Sequence, residues 1–401
     1  MTDNFTSSCP ALDYDYRAVN AMDSPFEVVS QARNSCPVAH TDAYDGHWIL
    51  FRHSDVAAAA KDTQRFSSAH GVTIPHHGFP IELPPIEWDP PRHTQFRGPL
   101  ITSFGPRAMR LLEPSIRQSV RDLMADFVEA GEADLVEQLT ILLPGIAITR
   151  LLNIPDEDRA RFTGYTKRLF RDGEDMEAVG AALEHAAEIY ADRRANPQDD
   201  IPTLMLSLEC DGQPISDGEY VCLLLTVVLA GIDTTANAAA NILELLALQP
   251  DIRTDLINDP SLIHRSIDEL LRFVTPLPAL SRTTTEEVEL GGVTIDAGQR
   301  VLLNWMSANH DPEAFSQPDS IDLHRKNISH VAFGTGAHRC LGQHLARLEL
   351  WVMLQEILRV IPDYKIDHSR IERFSGLTRG IGSLPVTFTP RSLDYLYEKP
   401  A

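Results

Sequence analysis

Between Phe333 and Arg347 the chain reads Phe-Gly-Thr-Gly-Ala-His-Arg-Cys-Leu-Gly-Gln-His-Leu-Ala-Arg. Any fold containing this segment has to present one thiol, Cys340, from a loop. Gly334 and Gly336 on its amino-terminal side permit backbone conformations closed to other residues. From Leu341 onward the pattern turns helical, so backbone N–H groups and the positive end of a helix dipole point back at the sulfur. Both features favour an ionised cysteine, the form that binds metal strongly. A small buried thiol that only packs has no need of this glycine spacing.

Around that loop the chain is patterned mainly for helices. Apolar residues recur at three and four across 110–129, 155–171, 175–194 and 217–248, within a stretch from about 105 to 365. Asp156 and Asp217 stand near two helix starts, where acids are favoured. Strand-like pieces are short and scattered, at 47–51, 288–295, 300–304 and 385–389. Gly291-Gly292 reads as a hairpin turn. The fold class is therefore mainly α with a small β-rich part.

Several polar segments sit where polarity is costly or spacing is informative. Ala230-Gly231-Ile232-Asp233-Thr234-Thr235 lies inside the apolar helix 217–248. A carboxylate and a hydroxyl there are unfavourable unless partnered. Thr234 can bond back to a carbonyl and bend the helix, and Gly231 lets a neighbour pack close. Glu269-Leu-Leu-Arg272, in the helix 262–273, can form an ion pair across one face; on an exposed helix such a pair contributes only about 0.3–0.5 kcal/mol. Asp89-Pro-Pro-Arg-His93-Thr-Gln-Phe-Arg97 gives a rigid proline entry to a helix that carries His93 and Arg97 on one face. His76-His77 lies in a loop rich in Pro and Gly, but adjacent residues seldom share an ion and no Cys or carboxylate spacing completes a ligand set.

Together these segments resemble the cytochrome P-450 superfamily, in its soluble bacterial ferredoxin-dependent type. The family's heme loop, Phe-Gly-x-Gly-x-His/Arg-x-Cys-x-Gly, is matched at Phe333, Gly334, Gly336, His338, Cys340 and Gly342. The resemblance covers nearly the whole chain and implies the cytochrome P-450 fold as one catalytic domain over 1–401. It implies heme b (iron protoporphyrin IX) ligated by Cys340, with His93, Arg97, Arg282 and His338 meeting the propionates. Glu269 and Arg272 are joined by a third residue, Arg325, in a structural role. Asp233 and Thr234 match the acid–alcohol pair that relays protons. The loop 70–87 would cover a substrate pocket walled by Val72, Phe79, Thr226, Leu229, Ala230, Leu277, Leu280, Leu377 and Thr378. Those walls are largely apolar, which favours a small, uncharged or weakly polar substrate, terpenoid-like or aromatic. The run from Cys340 to Arg347 and Gly46-His-Trp-Ile49 are similar to bacterial monoterpene hydroxylases acting on camphor and cineole.

The implied reaction is monooxygenation by O2. Electrons would come from NAD(P)H through a separate ferredoxin reductase and ferredoxin. A formal charge of −22 argues against nucleic acid and anionic membranes as partners. It would also repel a small acidic ferredoxin, so docking needs a local basic patch, effective within about a Debye length of ~8 Å. Arg339, Arg97, Arg107 and Arg110 are the candidates. Five unpatterned cysteines argue against a disulfide framework. The start lacks a leader pattern, and the apolar run 221–232 is short of the ~20 residues that cross a bilayer. A cytoplasmic monomer with no membrane partner is expected. The rival readings are a peroxide-driven heme oxidase, a non-catalytic heme sensor or carrier, and a non-heme helical protein with a structural cysteine. The first wants a basic group in place of Asp233-Thr234, and the second has no use for that pair.

Overall fold

The computed structural model describes residues 11–78, 81–170 and 175–398. The helices that frame the site are α1 (His53–Lys61), α2 (Arg92–Leu100), α3 (Pro106–Ala125), α4 (Leu142–Leu151), α5 (Asp156–Phe170), α6 (Met176–Ala195), α7 (Asp217–Leu248), α8 (Ser261–Val274) and α9 (Gln343–Val360). The periodic stretches read from sequence become α3, α5, α6, α7 and α8, with ends shifted by a few residues. The largest shift is at α3, which starts at Pro106 because Gly105-Pro106 makes a ready first turn.

The axis of the fold is α7. Ser216 caps it: Glu219 N–H donates to the Ser216 hydroxyl at 3.3 Å and Ser216 N–H donates to the Glu219 carboxylate at 2.8 Å, a capping box. Beyond Asp233 buried apolar residues continue at Ala236, Ala238, Ala239, Ala240, Ile242 and Leu243, broken by Asn237 and Asn241. The helix is thus long and apolar enough to cross a membrane by length and composition, unlike the shorter run noted above. It lies instead in the protein core, with Tyr220 near its start and Leu246 near its end both fully buried. Gly231 admits α4, since a Cβ there would lie 3.1 Å from Cγ1 of Ile148.

The β part is a five-stranded sheet of β1 (Val38–Thr41), β2 (His47–Leu50), β3 (Phe66–Ser67), β4 (Ala279–Thr284) and β7 (Arg300–Asn304), in the order β1-β2-β7-β4-β3. Only β2 and β7 pair in parallel, with Trp48 opposite Val301. A hairpin of β5 (Val288–Leu290) and β6 (Val293–Ile295) turns at Gly291-Gly292, both at positive φ. A second hairpin, β8 (Glu372–Ser375) with β9 (Arg379–Ser383), returns to α7, where Asn241 donates to the Arg379 carbonyl at 3.0 Å. Strands β1, β3, β4, β8 and β9 escaped the sequence reading. In β4 nearly every position is buried, so no alternation marks it. Among the described cysteines Cys210, Cys222 and Cys340 are free thiols and Cys36 is disulfide-bonded, one cross-link rather than a framework.

Candidate active site

Cys340 ends a loop made of tight backbone turns. Gly334 N–H donates to the Val331 carbonyl at 2.9 Å, Arg339 N–H to Gly336 at 3.2 Å and Cys340 N–H to Phe333 at 2.8 Å. At Gly336, φ is +75° and a Cβ would come within 2.6 Å of the Ala60 carbonyl on α1. Both the angle and the contact therefore demand glycine. Arg347, in the first turns of α9, donates to Asp268 of α8 at 2.7 Å and lies 4.5 Å over the Phe333 ring. The thiol itself is half-buried and lines an internal cavity. Burial pushes its pKa up, while the Gly342 N–H and the Arg97, Arg347 and Arg339 cations pull it down.

The loop is braced from α8. Arg272 grips Glu269 with two bonds of 2.8 Å and also donates to the Asn309, Pro318 and Ser320 carbonyls. Arg325 adds a 2.9 Å bond to the same carboxylate. Neither the Glu269 nor the Arg272 side chain has any exposed surface. Asn309 then accepts from Val331 N–H at 2.7 Å, which carries the brace into the cysteine loop.

Another wall of the cavity is α7, through Thr226, Ala230, Gly231, Thr234 and Thr235. The Thr234 hydroxyl donates to the Ala230 carbonyl at 2.9 Å, and the helical backbone continues through this point. Asp233 is not on the cavity wall. It is buried and accepts from the Thr378 hydroxyl at 2.7 Å and the Asn237 amide at 3.1 Å. Asn237 also donates to Thr378 at 2.9 Å, and Asn241 to the Asn237 carbonyl at 2.6 Å. These partners meet the requirement that a polar group inside an apolar helix be hydrogen-bonded.

His93 and Arg97 of α2, Arg282 of β4 and His338 of the loop all line the same cavity. The rings of His93 and His338 lie 4.2 Å apart. Arg97 donates to the Arg339 carbonyl. Neither ring nitrogen of His93, nor Nε of Arg282, has a hydrogen-bond partner among the described residues. Burial, with nearby arginines, pushes His93 down to about 4, and burial with Arg282 and His93 pushes His338 down to about 2. Burial alone lowers Arg282 to about 10. Asp89, which opposes the shifts at His93 and Arg282, already accepts from Ser67 and from Ser68 N–H. Buried donors turned to one space without an anion are costly. The two carboxylates of a heme would satisfy them with charge-assisted hydrogen bonds, so these residues fit that cofactor.

Of the expected pocket residues, Thr226, Ala230, Leu277 and Leu280 line the cavity. Val72, Leu229, Leu377 and Thr378 are placed elsewhere. The Val72 carbonyl accepts from Ser281 N–H at 2.7 Å, Leu229 packs in the helical core, and Thr378 is engaged with Asp233. Leu377 is half-buried in the turn between β8 and β9. Phe79 lies outside the described residues. The cover loop 70–87 reaches the wall, as expected, but through Pro85 and Ile86; α9 contributes Glu349, which was missed from sequence. Glu349 is buried, and neither carboxyl oxygen has a partner among the described residues. Burial pushes its pKa well above the usual carboxylate range. An acid in register with Leu345 and Val352 on an otherwise apolar helix face was the available signal. Arg339, Arg107 and Arg110 are exposed, the last two in the first turns of α3, which packs along α9.

The family model for cytochrome P450 matches residues 162–361. The chain is 33% identical to Cytochrome P450 130 of Mycobacterium tuberculosis, over 87% of this chain and 91% of that one. It is 31% identical to Cytochrome P450-terp of Pseudomonas sp, over 88% and 90%. The solved structure of a Mycobacterium marinum cytochrome P450 in complex with pseudoionone superposes with a TM-score of 0.85 at 28% identity, covering 94% of this chain and 99% of that one. On this likeness in sequence and fold, the chain belongs to the cytochrome P450 family and is a heme- and O2-using monooxygenase, an oxidoreductase.

Proposed function

We propose that this monooxygenase inserts one oxygen atom of O2 into a small, largely apolar organic molecule, terpenoid-like or aromatic. Its electrons come from NAD(P)H through a separate ferredoxin reductase and ferredoxin. In this reading Cys340 ligates the heme iron, and His93, Arg97, Arg282 and His338 hold the propionates. The observation that carries it is the set of unsatisfied donors in the very cavity that Cys340 and Thr234 line. A bound heme with a thiolate ligand supplies cleavage of the O–O bond.

The chain's own residues supply the surroundings. Ile148, Ala230, Leu277 and Leu280 exclude water and favour an apolar molecule. The Thr234 hydroxyl can turn from the Ala230 carbonyl to hold a proton toward the cavity. Asp233, held by Thr378 and Asn237, takes up a proton from solvent and passes it toward that hydroxyl when its carboxyl group turns from them. The pseudoionone bound by the Mycobacterium marinum relative, and the similarity to monoterpene hydroxylases from Cys340 to Arg347, support the substrate class.

Small terpenoids and aromatics should include compounds that shift the heme from low to high spin. With such a compound Thr234→Ala should keep heme and spin shift but divert most reducing equivalents to hydrogen peroxide. Asp233→Asn should slow turnover by ~10²-fold or more, the scale of a positioned proton transfer. Unchanged coupling in Thr234→Ala removes that hydroxyl from proton delivery.

The docking face we assign to ferredoxin centres on Arg339, with Arg97, Arg107 and Arg110 around it. Arg339→Glu should raise the ferredoxin concentration needed for half-maximal turnover, and the effect should fade with salt. The substrate-induced spin shift should not change. Equal reduction by ferredoxin at low ionic strength would place the docking face elsewhere.

A further inference from the structure

The adjacent histidines of the cover loop lacked a third ligand in sequence, and the fold supplies one. Glu87 comes back to His76 and His77, so that one ligand atom from each lies within 4.8 Å of the others. His77 Nε2 is 3.0 Å from Oε1 of Glu87, close to the spacing of two ligands on one small ion. The other oxygen of Glu87 accepts from Leu83 N–H at 2.9 Å, which fixes the carboxylate. The two imidazole rings are 4.2 Å apart. Gly71 lets the His76 ring pack against its backbone: a Cβ there would come within 2.7 Å of Cδ2 and 3.1 Å of Nε2 of His76. Its φ of +88° also reserves the position for glycine.

We infer that His76, His77 and Glu87 form a site for a divalent transition-metal ion that clamps the loop over the substrate cavity. Two imidazoles and a carboxylate suit zinc, cobalt or nickel rather than magnesium or calcium, which prefer all-oxygen shells. Glu87 is buried while His76 is exposed, so the outer side is open to solvent for entry and for a water as fourth ligand. The coupling to function is geometric. Pro85 and Ile86, next to Glu87, form part of the cavity wall. An ion that ties Glu87 to His76 and His77 holds the two limbs of the loop together and slows substrate entry.

The test uses the heme-loaded enzyme, freed of metal by EDTA and titrated calorimetrically with zinc chloride. One ion per chain should bind, and binding should weaken as the pH falls below about 6.5, where imidazole protonates. His76→Ala and Glu87→Gln should each weaken it by about tenfold or more, at least the loss seen when an outer-sphere partner is removed. His76 is exposed, so His76→Ala should fold and keep its heme spectrum. Zinc should slow the substrate-induced spin shift in the parent and not in His76→Ala. Absence of zinc binding, or equal binding by the parent and His76→Ala, would overturn the site. Equal slowing in both proteins would overturn the clamp.

Discussion

Cys340→Ala should give a folded protein whose reduced, carbon-monoxide-bound spectrum lacks the red-shifted band of thiolate-ligated heme. Substrate turnover should drop to background. The expectation of an intact fold rests on how the loop is held. Its main bonds run from Cys340 N–H to Phe333 and from Gly334 N–H to Val331, with Gly336 seated on Ala60, and the sulfur takes part only through the Gly342 N–H. The variant therefore separates the ligand from the scaffold. Heme should still be taken up in part, through His93, Arg97, Arg282 and His338. A normal band after the substitution would sink the assignment of Cys340. It would be hard to reassign, because neither other free thiol among the described residues, Cys210 or Cys222, lines the cavity.

Arg272→Ala should destabilise the protein by about 3–5 kcal/mol, the cost of breaking a buried ion pair from one side. From spacing alone the pair with Glu269 was worth a tenth of that, as on any exposed helix. Burial raises the scale about tenfold, because among the described residues Glu269 keeps only Arg325 as a cationic partner once Arg272 is gone. The Asn309 and Pro318 carbonyls lose their donor at the same time, and the Ser320 carbonyl keeps only Arg325 at 3.5 Å. Through Asn309 the damage reaches Val331 and the cysteine loop, so heme retention should fall along with the urea midpoint. Arg272→Lys should recover little, since an ammonium cannot reproduce the planar fork on the carboxylate. A variant within about 0.5 kcal/mol of the parent, the range of ordinary surface changes, would show that the brace carries no stability.

Much of this molecule was written locally. The periodic helices, the Gly291-Gly292 hairpin and the glycine-turned approach to Cys340 follow from short-range rules. Helical and strand periods and the conformations open to glycine are properties of a few neighbouring residues. That is why α3, α5, α6, α7 and α8 could be placed to within a few residues. The long-range partners were a different matter. That Asp233 bonds Thr378, across a sequence separation of 145, depends on α7 meeting the β8–β9 hairpin. The wall positions of Val72 and Leu229 were misjudged because a residue's face on a buried helix or loop is set by what packs against it. The same holds for the cation cluster from α2, β4 and the cysteine loop, for Glu349 facing the cavity, and for Glu87 beside His76 and His77. None of these meetings leaves a periodic trace. Each exists because burying apolar surface brings distant segments together, and the polar groups carried along must then find partners inside.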